Sequence, residues 1–210
     1  QYLVNHGYAV YAINNRGSSG YGKGFFTADD RKHGQADLDD CVASKSMLID
    51  TGYVDPERIG IIGRSYGGYL VLAAMSLRPG EFAVGVDIFG ISNWVSTLRN
   101  MPPWWESLRE ALFTEIGHPE KDREYLESIS PLYHADRIVQ PLMVLHGAND
   151  PRVVKSETDA IVAAVQGNET PVQYLVFADE GHSFRKKDNR LVAYRSILDF
   201  LDRYLNVVNE

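Results

Sequence analysis

Five stretches of this chain are apolar at nearly every position, and the segments between them are apolar only every third or fourth residue. The continuous runs are YAVYAIN (8 to 14), RIGIIG (58 to 63), FAVGVDIF (82 to 89), PLMVLHG (141 to 147) and VQYLVFA (172 to 178). A strand with one wet face alternates apolar and polar side chains, so unbroken runs predict strands of a parallel sheet covered on both faces. The intervening period is helical. Over 36 to 50, Leu38, Val42 and Ile49 share one side, and Asp37, Asp39 and Asp40 crowd the amino end, where the helix dipole favours anions. Residues 155 to 166 and 189 to 205 read the same way, the last with Leu191, Tyr194, Leu198, Leu201 and Leu205 in register. The segment YLVLAAMSL after residue 68 is apolar all round and predicts a buried helix.

Strands alternating with helices imply an α/β, doubly wound sheet, with binding sites at the carboxyl ends of the strands. One long departure covers residues 92 to 138, which read as an insertion over the sheet, rich in Trp, Pro and short helical pieces. No repeat or linker divides the chain, so residues 1 to 210 are taken as one domain.

Charge narrows the function. With 28 acidic against 21 basic residues and a formal net charge of -7, the chain has no basic stripe for nucleic acid. No run reaches the roughly 18 apolar residues of a membrane span, so no membrane contact is expected. A single cysteine, Cys41, excludes an internal disulfide and a cysteine metal site, and its apolar setting predicts a buried thiol. The first residues run from a helix end into a strand, which reads as a piece of a longer polypeptide; cytoplasm is the default compartment, and a homo-oligomer is left open.

One motif is rejected. Gly17 to Lys23 spell G-x-x-x-x-G-K, but Gly24 stands where a phosphate loop needs Ser or Thr, and FFTADDRKHG intervenes before the next helical pattern. A second motif fits its surroundings. In IGIIGRSYGG a strand ends at Gly63, Ser65 occupies the turn and a helix follows at once, the context of the G-x-S-x-G nucleophile elbow. Glycines at 63 and 67 let the strained turn pass close to its neighbours.

A serine hydroxyl needs a base, and the base an orienting carboxylate. Asp150 follows the fourth apolar run in HGANDPRV, and His182 follows the fifth in ADEGHSF. The order Ser65, Asp150, His182, each at a different strand end, is that of the α/β-hydrolase fold. Asp87 and Asp179 are weaker substitutes for the acid. His6, His33, His118 and His134 have no strand-end position and are read as structural or surface residues, and His146 as a support for the Asp150 loop.

The stretches NNRGSSGYG, GRSYGG, HGANDPRV and DEGHSF, in this order, resemble the catalytic domain of the prolyl oligopeptidase family of serine peptidases, which includes acylaminoacyl peptidases and dipeptidyl peptidases. The likeness runs from Gln1 to Leu205. It implies Ser65 as nucleophile, Asp150 as orienting acid, His182 as general base and the Tyr66 backbone N–H as an oxyanion donor. It also implies that Ile91, Trp94, Val153 and the Tyr66 side chain line the pocket for the residue before the cut bond, and that Arg152 holds a substrate carbonyl. Trp104 and Trp105 are read either as a cap over the site or as a packed structural corner. The implied reaction is hydrolysis of short peptides or N-acylated amino acids through an acyl-enzyme, with no cofactor or metal. A carboxylesterase using the same residues, or a non-catalytic binding module, are the alternatives.

The resemblance also implies something upstream. Relatives carry earlier strands, often a β-propeller, and a segment that supplies the second oxyanion donor; one missing strand is expected between 8 to 14 and 58 to 63. Loss of one donor costs about 100 to 1,000-fold in turnover. The 210-residue chain by itself is therefore expected to be weakly active or inactive, with the upstream segment of its parent as its partner.

Overall fold

The structure, a computed structural model, describes residues 1–205. Four parallel strands form its sheet in the order β1-β2-β3-β4: β1 Gly60–Arg64, β2 Val84–Ile88, β3 Leu142–Gly147 and β4 Val172–Phe177. The registers are parallel throughout, with Gly63 beside Asp87, Asp87 beside Val144 and His146 beside Val176. All six residues of β3 are buried, as its unbroken apolar run requires.

Helices cover both faces. On one face lie α2 (Ala36–Asp50), α3 (Tyr66–Leu77) and α7 (Lys155–Gln166), in a core that includes Leu38, Tyr69, Leu72, Val144 and Ile161. On the other, α8 (Lys187–Leu205) sets Ala193, Ile197, Phe200 and Leu201 against Val84, Val86, Met143 and Leu145. Nine consecutive residues of α3, Gly68 to Ser76, are buried, so its all-round apolar sequence is matched by contacts on every side. The segment 92 to 138 folds into short helices, among them α4 (Trp94–Arg99), α5 (Arg109–Glu115) and α6 (Arg123–Ser128).

One expectation fails locally. Residues 8 to 14 form no strand: the segment is extended without a ladder, with Val10 57% and Tyr11 51% exposed. A cavity of about 570 Å³ lies between this segment and β1, bordered also by Cys41 and Leu48 of α2 and Leu201 and Leu205 of α8. Strand formation needs a neighbour for its N–H and C=O groups, and the apolar run faces this gap instead. The glycine-rich stretch after it contains one helical turn, α1 (Lys23–Phe26).

Candidate active site

The turn between β1 and α3 is shaped by close backbone contact. Ser65 caps α3 with φ 58 and ψ -117, a left-handed value that L residues adopt at a cost of about 1–3 kcal/mol. Its N–H donates to the Ile88 carbonyl at 3.0 Å, and its own carbonyl accepts from Tyr69 N, which pins the turn from both sides. A Cβ at Gly63 would stand 2.1 Å from the Gly67 carbonyl oxygen, so a side chain there is excluded.

Two further strand ends bring side chains to this turn. After β3, Asp150 Oδ1 accepts from the N–H groups of Arg152 (2.8 Å) and Val153 (3.1 Å), leaving Oδ2 for the imidazole. After β4, the loop holding His182 lies directly on the Asp150 loop: Asn149 N donates to the Glu180 carbonyl at 2.9 Å. Glu180 binds the far side of the same loop, accepting from Arg185 N, Lys186 N and the Asn189 amide.

The result is a continuous hydrogen-bonded line. His182 Nδ1 lies 2.6 Å from Asp150 Oδ2, and His182 Nε2 lies 2.8 Å from Ser65 Oγ. Burial of Asp150 would raise its pKa, but the His182 bond and two backbone N–H groups outweigh it and hold the carboxyl below its usual range. An ionised Asp150 only accepts, so Nδ1 carries the imidazole proton and Nε2 is free to take one from the serine. The imidazole is steadied by Phe89, whose ring centroid is 4.5 Å away.

The remaining expected residues divide. Ser65, Arg152 and His182 share a cleft of about 730 Å³ with Arg64, Asp179, Glu180 and Arg185. Arg152 lies over the Trp105 ring at 5.8 Å, so one of the two tryptophans of the 103 to 108 segment reaches this edge; Trp104 is 59% exposed. Trp94 and Val153 are each only 3% exposed, and with the half-buried Ile91 they stand outside the lining of that cleft. Trp94 packs edge-on to Tyr69, at 5.0 Å between centroids, and against Tyr66 at 6.1 Å. The backbone before it is held by Glu157 of α7, which accepts from Ser92 N and Asn93 N.

One feature had no motif to reveal it. The Tyr66 phenol donates to Asp37 Oδ2 at 2.5 Å and meets His33 Nδ1 at 2.7 Å. Burial first, then the charge of Asp37, raises the phenol pKa and keeps its proton on. His33, Asp37 and Asp29 have ligand-type atoms within 4.8 Å of one another, but the His33 and Asp37 atoms nearest the phenol are bound to it. His33 is thus a structural residue beside the elbow, while His6, His118 and His134 bond to nearby backbone atoms. His146 bonds Thr158 at 3.0 Å behind the Asp150 loop.

Residues 1–208 match the prolyl oligopeptidase family. The chain belongs to that family. Similar members are dipeptidyl peptidase family member 6 of Caenorhabditis elegans, 39% identical over 97% of this chain and 28% of its own length, and dipeptidyl aminopeptidase BIII of Pseudoxanthomonas mexicana, 41% identical over 90% and 28%. The chain thus spans under a third of the curated relatives it matches. Among solved structures, acylaminoacyl peptidase of Pyrococcus horikoshii superposes with a TM-score of 0.84 at 25% identity, covering 94% of this chain and 32% of that one. A puromycin hydrolase superposes with a TM-score of 0.86 at 27% identity, covering 92% and 29%. The family's α/β-hydrolase architecture is that of the sheet described above.

Proposed function

We propose that this chain carries the chemical centre of a serine peptidase that cleaves short peptides or N-acylated amino acids. The observation that carries the reading is the line from Ser65 Oγ through His182 to Asp150, with separations of 2.8 and 2.6 Å. His182 Nε2 takes the hydroxyl proton as Oγ adds to the scissile carbonyl, and Asp150 stabilises the imidazolium. Negative charge then develops on the former carbonyl oxygen. The Tyr66 N–H, first in α3, is a donor for it, aided by the helix dipole. His182 next gives its proton to the leaving nitrogen, the C–N bond breaks, and water repeats the sequence on the acyl-enzyme.

The substrate class follows the family and its dipeptidyl and acylaminoacyl peptidase members. Arg152, which lines the cleft, supports a substrate carbonyl, whereas Ile91, Trp94, Val153 and the ring of Tyr66 stand outside its lining. We assign the groove beside β1 to a strand from the upstream part of the parent chain, which also provides the second oxyanion donor. A fluorophosphonate probe tests the chemistry: the full-length protein labels covalently and its Ser65→Ala variant does not. Folded full-length protein that stays unlabelled overturns the reading.

A further inference from the structure

The cleft around Ser65 has a charge unlike the rest of the chain. A molecule of net charge -7 places Arg64, Arg152, Arg185 and Lys186 there against only Asp179 and Glu180. Both carboxylates are engaged internally. Asp179 pairs with Lys186 and accepts from Asn189, while Glu180 takes the N–H groups of Arg185 and Lys186. Among the described residues no carboxylate forms an ion pair with Arg64, Arg152 or Arg185. Three guanidinium groups therefore face solvent in a concave site, where the field of like charges is focused.

Two of the three belong to one side of the reaction. The histidine hands its proton to the leaving nitrogen, so the leaving peptide must run past His182. Arg185 lies three residues beyond His182 on the same loop. Arg64 precedes Ser65, and its guanidinium is held over the Phe89 ring at 6.0 Å; the same ring lies 4.5 Å from His182 and 5.6 Å from Phe184. Phe89 is 1% exposed with φ 44, a fixed platform rather than a mobile side chain. Arg64 is thereby kept one ring away from the imidazole. The leaving part of a short peptide ends in a free carboxylate, the partner that planar guanidinium groups bind best.

We propose that Arg64 and Arg185 form a subsite for the terminal carboxylate of the leaving peptide, so that the enzyme prefers substrates cut one or two residues before a free carboxyl end. This rests on the serine-peptidase reading of Ser65 and His182. Arg152, assigned above to a substrate carbonyl and lying over the Trp105 ring, is not part of it.

The test uses the full-length protein and pairs of short peptides of identical sequence, one ending in a carboxylate and the other in a carboxamide. The wild type favours the acid by about tenfold in kcat/KM, and added salt lowers the preference. In the Arg64→Gln, Arg185→Gln double variant the ratio falls to about one. A wild type that cleaves both peptides equally well, or a double variant that keeps the wild-type ratio, overturns the subsite. Fluorophosphonate labelling of the same wild-type preparation reports on Ser65 separately: labelled enzyme without the preference removes only the subsite, and unlabelled enzyme removes the peptidase reading beneath it.

Discussion

The phenol of Tyr66 and the carboxylate of Asp37 meet across 2.5 Å, joining the residue after the candidate nucleophile to the first turn of α2. Asp37 is fully buried, and among the described residues its other oxygen takes only the Leu38 N–H. Tyr66→Phe removes its donor and strands a buried acceptor, a loss of about 1–3 kcal/mol. Adding Asp37→Asn removes the stranded charge, so the double variant is more stable than Tyr66→Phe alone. Urea unfolding of the three variants checks this, and a double variant less stable than the single one counts against it.

Gly147 ends β3 under the His182 loop, and a Cβ there would lie 2.2 Å from the Gly181 carbonyl oxygen and 2.7 Å from that of Glu180. Both obstacles are backbone, so Gly147→Ala must shift the loop away from Asp150. A misplacement of about 1 Å costs on the order of 100-fold in rate. Steady-state kinetics of the full-length variant, with circular dichroism as the control for folding, should show a loss of that order; turnover within a factor of about two would contradict the packing argument.

Glu180 ties down the far side of the same loop through Arg185 N and Lys186 N. Glu180→Ala frees these groups and lets the imidazole wander from Ser65. Fluorophosphonate labelling of full-length protein is expected to slow by about tenfold, a fraction of the loss that a full displacement brings. Unchanged labelling would show that Asp150 and Phe89 hold His182 unaided.

Asp87 gives the protein a pH dependence of known sign. It is fully buried beneath the elbow; burial pushes its carboxyl up to about 7, against the opposing effect of the Gly90 N–H bond. An unfolded aspartate loses its proton near 3.9, so between about pH 4 and 7 the folded chain holds a proton that the unfolded chain has released. Stability from this group is therefore present at low pH and falls as pH rises through that window, by roughly 4 kcal/mol in all. Asp87→Asn keeps an acceptor for Gly90 N and abolishes the titration. Urea unfolding at pH 5, 6, 7 and 8 should give the variant a flatter profile than the wild type; parallel profiles would refute the assignment.

Particular elements explain what could be read in advance. The expected helices over 36 to 50 and 155 to 166 coincide with α2 and α7, because a period of three to four is a local property of the chain. The apolar runs that became β1 to β4 were legible since burial on both faces leaves an unbroken pattern. Residues 8 to 14 carry the same pattern without a ladder, since pairing belongs to two segments and no strand among the described residues lies beside this one. The meeting of His33 and Asp37 with Tyr66 gave no signal: Asp37 read only as an anion at a helix end, and the contact depends on how these segments lie against α3, which no spacing encodes.

The chain's own pattern determined an α/β sheet and put a serine, an aspartate and a histidine at three separate strand ends, since period and turn chemistry act over a few residues. Packing alone decided that those side chains reach one another within hydrogen-bond distance, that Trp94 is buried among Tyr66 and Tyr69, and that Arg64 rests on Phe89 beside His182. These relations join residues up to 117 positions apart, so they exist only once the sheet has assembled its strand ends at a common edge.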